Sequence, residues 1–139
     1  MLAKKILNSI PQSIRMIRHL SVCFMGNELT IQQFRILTLC KEGMGQTQMA
    51  QTLQISMAAI SKMVDHLVKQ NLLERHQGDD RRCLKLSLTP EGKKIQKKIT
   101  GQVEKVLNKN LEKLTNEEQV DLDRGLAVLD KLMGFVNEK

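Results

Sequence analysis

The sequence contains no tryptophan and no tyrosine, and its aromatic residues are limited to Phe24, Phe34 and Phe135. Single-stranded nucleic acid is usually held by stacking bases on aromatic rings, so this scarcity favours duplex DNA over single strands as any nucleic-acid partner. The three cysteines, Cys23, Cys40 and Cys83, are odd in number and widely spaced. That argues against a disulfide framework and against a C-x-x-C metal or redox motif. With only two prolines, no Gly/Ser linker and no internal repeat, the chain reads as one continuous, mostly helical domain. No apolar run approaches a membrane span, and Asn8, Ser9, Pro11 and Gln12 interrupt any signal-peptide core after Lys4 and Lys5. The expectation is a cytoplasmic protein without a membrane partner. Enzyme signatures are missing too: there is no HExxH and no GxSxG, and Gly43-Met44-Gly45-Gln46-Thr47 lacks the lysine and spacing of a phosphate-binding loop. His19, His66 and His76 are scattered, so neither an enzyme nor a cofactor is expected.

What is present is a chain of 139 residues, enough for one core, with 41% apolar and 27% charged residues. Lys and Arg number 22 against 15 Asp and Glu, a net charge of +7 that points to a polyanionic partner.

Apolar residues from Ile6 to Phe24 recur at threes and fours, which predicts a helix over residues 2–25, kinked or restarted at Pro11 and ended by Gly26 and Asn27. Thr30 and Gln33 form a capping box for a second helix, stopped by Gly43 and Gly45. A short helix follows from about Gln46 to Leu53, and Ser56 caps another that runs to about Gln70 with Ile60, Met63, Val64 and Leu67 on one stripe. Two helices joined by Gln54-Ile55-Ser56 form a helix-turn-helix pattern. The period then changes to two. Leu72–His76 and Cys83–Leu88 read as strands of a hairpin around Gly78, Asp79 and Asp80. Thr89, Pro90 and Glu91 supply a cap, a first-turn proline and a carboxylate for a helix to about Leu114. Thr115 and Glu118 then cap a final long helix.

This order of elements is that of a winged helix-turn-helix flanked by long terminal helices: mainly α with a small β-hairpin wing. The helix after Ser56 presents Ala58, Ser61, Lys62, Asp65 and Lys69 opposite its apolar stripe, a face with little bulk that suits the major groove. The alternative for these residues is an ordinary solvated face. Arg81, Arg82 and Lys85 lie at or beside the hairpin tip, where a protruding arm can enter the electronegative minor groove.

Asp80-Arg81-Arg82, followed by Leu88-Thr89 and Gly92, resembles the D-x-R, L-T, G signature of the MarR family of bacterial transcription regulators. Leu29-Thr30-x-x-Gln33-Phe34, Met49-Ala50, the segment from Ile55 to Leu67 and Leu72-Leu73-Glu74-Arg75 are similar to that family's patterns in the same order. The resemblance implies a homodimer on a pseudo-palindromic operator in double-stranded DNA, as a ligand-responsive repressor. It implies dimerisation helices over 1–28 and 93–139 around a DNA-binding region over 29–92. Ser56, Ala58, Ser61, Lys62 and Asp65 then form the major-groove set. Gln46, Thr47, Lys69, Arg75 and Lys85 are the phosphate contacts, and Asp80, Arg81 and Arg82 the minor-groove wing. Asp65 matches a family aspartate that can pair with the wing arginine, here Arg82. Two departures stand out: the wing is about one residue shorter with Gly78 in place of a proline-containing turn, and Ala58 and Ala59 replace polar residues.

Family members often respond to small lipophilic molecules held between the dimer helices and the winged helix. No sequence feature identifies such an effector, although Met16, Met25, Met44 and Met63 are candidates for an adaptable lining or for plain core. Other readings stay open at this point. Cys83, flanked by Arg81, Arg82 and Lys85, or Cys23 is a candidate oxidant sensor. His19 and Cys23, one helical turn apart, make at most half of a metal site. Lys93, Lys94, Lys97 and Lys98 form either a solvated face or contacts to flanking phosphates. A winged helix used as a protein-binding adaptor is the remaining alternative.

Overall fold

The computed structural model describes residues 1–78 and 84–138. In chain order these form α1 (Leu2–Met25), α2 (Ile31–Lys41), α3 (Gln46–Leu53), α4 (Met57–Lys69), β1 (Leu73–Gln77), β2 (Leu84–Leu88), α5 (Pro90–Leu111) and α6 (Asn116–Asn137). The architecture is the expected one, mainly helical with a two-stranded antiparallel wing between long N- and C-terminal helices. The chain falls into two compact units, Met1–Val103 and Glu104–Lys139.

Within the first unit, Ile36 and Leu37 of α2, Met49 of α3 and Ile60, Val64 and Leu67 of α4 are fully buried. They share one core with Leu73, Leu88 and Ile99. α1 passes through Pro11 as one helix. At α2 both bonds of the capping box form: Gln33 N donates to Thr30 Oγ1 at 3.1 Å, and Thr30 N donates to Gln33 Oε1 at 3.0 Å. Ser56 Oγ accepts from Ala59 N at 3.1 Å and opens α4.

Three helices of this unit end alike. After α2, α3 and α4 the chain turns through left-handed residues, Gly43 at φ 90°, Gln54 at φ 55° and Asn71 at φ 59°. The next N–H reaches back to close the last turn: Met44 to Leu39 O, Ile55 to Ala50 O and Leu72 to Leu67 O, at 3.1, 3.0 and 2.9 Å. The last of these explains a one-residue difference from the strand expected at Leu72–His76. The Leu72 N–H belongs to the end of α4, so pairing begins at Leu73. The register is Leu73↔Leu88, Glu74↔Ser87, Arg75↔Leu86, His76↔Lys85 and Gln77↔Leu84.

α5 starts where the wing returns. Thr89, 1% exposed, holds three groups together. Its N–H donates to Leu72 O at 3.2 Å, its Oγ1 donates to Asn71 O at 2.6 Å, and the same oxygen accepts from Gly92 N at 3.0 Å. Gly92 is packed so closely that a Cβ there would collide with the Leu72 carbonyl oxygen. The Leu-Thr-x-x-Gly segment is therefore a joint between the end of α4 and the start of α5.

In the second unit α5 finishes at Leu111, earlier than the expected Leu114, because Lys113 and Leu114 bond back three residues to Asn110 O and Leu111 O. Thr115 and Glu118 form the capping box of α6: Thr115 N donates to Glu118 Oε2 at 2.8 Å and Glu118 N to Thr115 Oγ1 at 3.1 Å. Thr115→Ala is expected to cost about 1 kcal/mol, read as a lower thermal midpoint at fixed protein concentration. No residue of α6 is buried, and Val120, Leu126, Val128, Phe135 and Val136 are among its exposed apolar side chains.

Candidate nucleic-acid interface

α4 is held by its buried stripe and by its packing on α3. Its opposite side is open. Ala58, Lys62, Asp65 and Lys69 are exposed and Ser61 is half-buried, so the side chains expected to face DNA lie on one accessible face. Met57, about half exposed at the start of the helix, and His66 join that face. Neither was singled out from the sequence, although the same periodicity that places Ala58 and Lys62 outward also places them there. The Ser56 hydroxyl accepts the cap bond, which leaves its proton free to donate outward.

α3 starts differently from its neighbours. α2, α4 and α6 receive side-chain caps from Thr30, Ser56 and Thr115, whereas the N-cap of α3 is Gly45, which has no side chain to give. The N–H of Gln48, the position that Thr30, Ser56 and Thr115 cap in their own helices, thus lacks a capping oxygen, and with the N–H groups of Gln46 and Thr47 it makes a helix start electrostatically suited to an anion. Thr47 is exposed and Gln46 half-buried.

The base of the wing is tied to α4 by an ion pair that the sequence reading did not find. Arg75 Nη2 lies 2.6 Å from Asp65 Oδ1, with side-chain exposures of 28% and 53%. The arginine expected on phosphate is engaged with the aspartate expected to hold Arg82. Asp80, Arg81, Arg82 and Cys83 lie outside the described residues, so the pairing expected between Asp65 and Arg82 does too. Farther along the hairpin, His76 Nε2 sits 2.7 Å from Ser87 Oγ and Lys85 is exposed.

The other sequence candidates separate by burial. Cys23 is exposed, 3.9 Å from His19 Nε2, while Cys40 is buried, and burial pushes its thiol pKa up. Among the described residues no three potential metal ligands come together. At neutral pH iodoacetamide is expected to alkylate Cys23 well before Cys40, because the buried thiol yields less thiolate and less access. Equal rates by mass spectrometry contradict this. Lys93, Lys94, Lys97 and Lys98 are all exposed.

A cleft of about 280 Å³ opens between α1, α2 and the end of α3. Ile17, Ile31, Phe34 and Leu39 supply apolar wall, and Arg18 and Arg35 supply two guanidinium groups. Burial, and then the neighbouring Arg18, lower the Arg35 pKa, yet an arginine stays cationic. None of Met16, Met25, Met44 or Met63 lines this cleft; Met25 is in the core and Met16 is exposed.

No helix among the described residues is long and apolar enough to cross a membrane. Residues 29–84 match the model of the MarR family. No curated protein matches the chain significantly in sequence. Among solved structures, RV1404 from Mycobacterium tuberculosis is 24% identical with a TM-score of 0.76, over 96% of this chain and 92% of that one. Wild-type MarR from E. coli in its apo form is 22% identical with a TM-score of 0.71, over 86% and 92%. A point mutant of MepR from S. aureus, bound to an oligodeoxyribonucleotide, is 18% identical with a TM-score of 0.63, over 89% and 94%. At these identities the structural likeness establishes the fold.

Proposed function

Because the chain is a MarR-family winged-helix transcription regulator, a DNA-binding protein of a family whose members are not enzymes, we propose that it acts as a homodimeric repressor on a pseudo-palindromic operator. Each copy lays α4 in the major groove. Ser61 and Lys62 donate to base edges, Met57 and Ala58 pack against thymine methyl groups, and Ser56 and Asp65 flank them. The uncapped start of α3 at Gln46 and Thr47 receives a phosphate, while Lys69 and Lys85 neutralise others. Asp80, Arg81 and Arg82 carry the wing into the minor groove.

The observation that carries this reading is the exposed face of α4, held rigidly from behind by Ile60, Val64 and Leu67 and open in front. The oligodeoxyribonucleotide on MepR, a protein of the same fold, supports it. The test is fluorescence anisotropy with duplex DNA from upstream of the protein's own gene. At physiological salt that duplex should bind at least about 10³-fold more tightly than a scrambled one. Weak binding, equal for both duplexes, contradicts the reading and favours a protein-binding adaptor.

The dimer follows from apolar surface. α1 exposes Leu7, Ile14, Ile17 and Val22, and α6 exposes Val120, Leu126, Val128 and Phe135. Helical faces this apolar are commonly covered by a second copy. Residues 1–28 and 93–139 would serve that contact and residues 29–92 the DNA. The cleft beside Arg18 and Arg35 suits an apolar effector with an anionic group, whose binding would relieve repression in the cytoplasm.

Asp65 has a definite place in this scheme. It sets a negative charge on the DNA-facing side of α4 and keeps Arg75 from the phosphates. Asp65→Asn is expected to raise affinity for unrelated duplex and to steepen the plot of log affinity against log salt by about one. An unchanged slope contradicts that role.

A further inference from the structure

A second cleft, of about 390 Å³, lies in the first unit on the wing side of α2, and among the described residues its lining includes none of those placed on DNA under the proposed function. Its walls come from the end of α2, from β2 and from the first turns of α5. Leu86 and Leu88 of β2 and the buried Cys40 make the apolar part. Lys41, Lys93 and Lys97 line it from two helices, and among the described residues no acidic side chain does. Lys93 and Lys97 are one turn apart on α5, which places both on the same side of that helix. The volume lies in the range of small-molecule pockets, which are mostly apolar with a few converging polar groups. A purely structural lysine cluster has no need of an apolar hollow beside it, and a purely apolar cleft has no need of three cations.

We infer that this cleft binds an amphiphilic organic anion, its aliphatic body against Leu86 and Leu88 and its acidic head among Lys41, Lys93 and Lys97. The described walls contain no aromatic ring to stack on, which favours an alkyl chain over a flat aromatic ligand. Cys40 adds apolar surface and no charge, since burial keeps its thiol protonated. The Gln96 amide, 3% exposed and donating to Thr100 Oγ1 at 3.1 Å, is fixed in the wall.

The probe is octanoate, with octanol as its uncharged counterpart, titrated into the full-length protein without DNA. Calorimetry reads affinity, and two-dimensional amide NMR reads location. Octanoate should saturably shift the backbone signals of Leu86 and Leu88 and the side-chain amide of Gln96. Its affinity should exceed that of octanol by at least about tenfold, and fall by at least about tenfold in the Lys93→Gln/Lys97→Gln double variant. Both lysines are exposed, so the variant should fold, and an unchanged thermal midpoint verifies this. The inference is overturned if no saturable shift occurs at Leu86, Leu88 and Gln96, if octanol shifts those signals as tightly as octanoate, or if the double variant shows the octanoate shifts at those signals with undiminished affinity. DNA is absent from every arm, so each outcome is independent of how α4 meets an operator.

Discussion

Gly92→Ala is expected to lower the stability of the chain by about 3 kcal/mol, a fall of roughly 10 °C in thermal midpoint. The atom that blocks the new methyl group is the carbonyl oxygen of Leu72, part of the backbone. A flexible side chain could swing aside; this oxygen cannot, because it already accepts the Thr89 N–H and belongs to the turn that closes α4. Relief requires α5 to lift away from that turn, which stretches the bonds from Thr89 to Asn71 and from Gly92 to Thr89. The control lies in the same helix. Gly101 has open space where its Cβ would be. Gly101→Ala should therefore stabilise the protein by about 0.5 to 1 kcal/mol through helix propensity. Opposite signs at two glycines of one helix, measured by calorimetry at one protein concentration, separate close packing from propensity.

The double substitution Ser61→Ala with Lys62→Ala is expected to weaken operator binding by about 10- to 100-fold with little change in thermal midpoint. Each base-edge contact is worth about 1 to 3 kcal/mol of discrimination, and a phosphate contact contributes without regard to sequence. The loss should therefore be larger for the operator than for unrelated duplex, so the ratio between them contracts. Lys85→Ala, proposed to touch only the backbone, should weaken both duplexes alike and reduce the salt slope by about one. Operator and unrelated duplex losing equally in the Ser61/Lys62 variant contradicts the assignment of α4 to base reading. Neither side chain belongs to the core, so unfolding does not account for the effect.

Much of the architecture was legible because its signals are local. The capping boxes at Thr30 and Thr115 need only the residue three positions on, and both form as the sequence suggests. The inward stripe of α4 follows from helical period alone. What escaped the sequence depends on residues brought together from afar. Asp65 and Arg75 are ten positions apart, on a helix and a strand, and nothing along the chain distinguishes that partner from another arginine. The start of β1 moved by one residue because Asn71 adopts a left-handed conformation and commits the Leu72 N–H to α4; asparagine tolerates that conformation, and this was the available signal. Gly92 could be matched to a pattern, but its reason, a carbonyl twenty residues away in sequence, is visible only in the fold. Periodicity on α1 and α6 marks apolar faces without saying what covers them, and the structure leaves them exposed.

The sharpest test is selection of bound duplexes from a random pool with the full-length protein, followed by titration of the enriched sequence. Two copies presenting symmetric reading helices should enrich an inverted repeat with half-sites about 10 base pairs apart, bound by two chains per duplex. If no sequence is enriched, or if the enriched site lacks two-fold symmetry and binds a single chain, a paired reading of successive major grooves is contradicted.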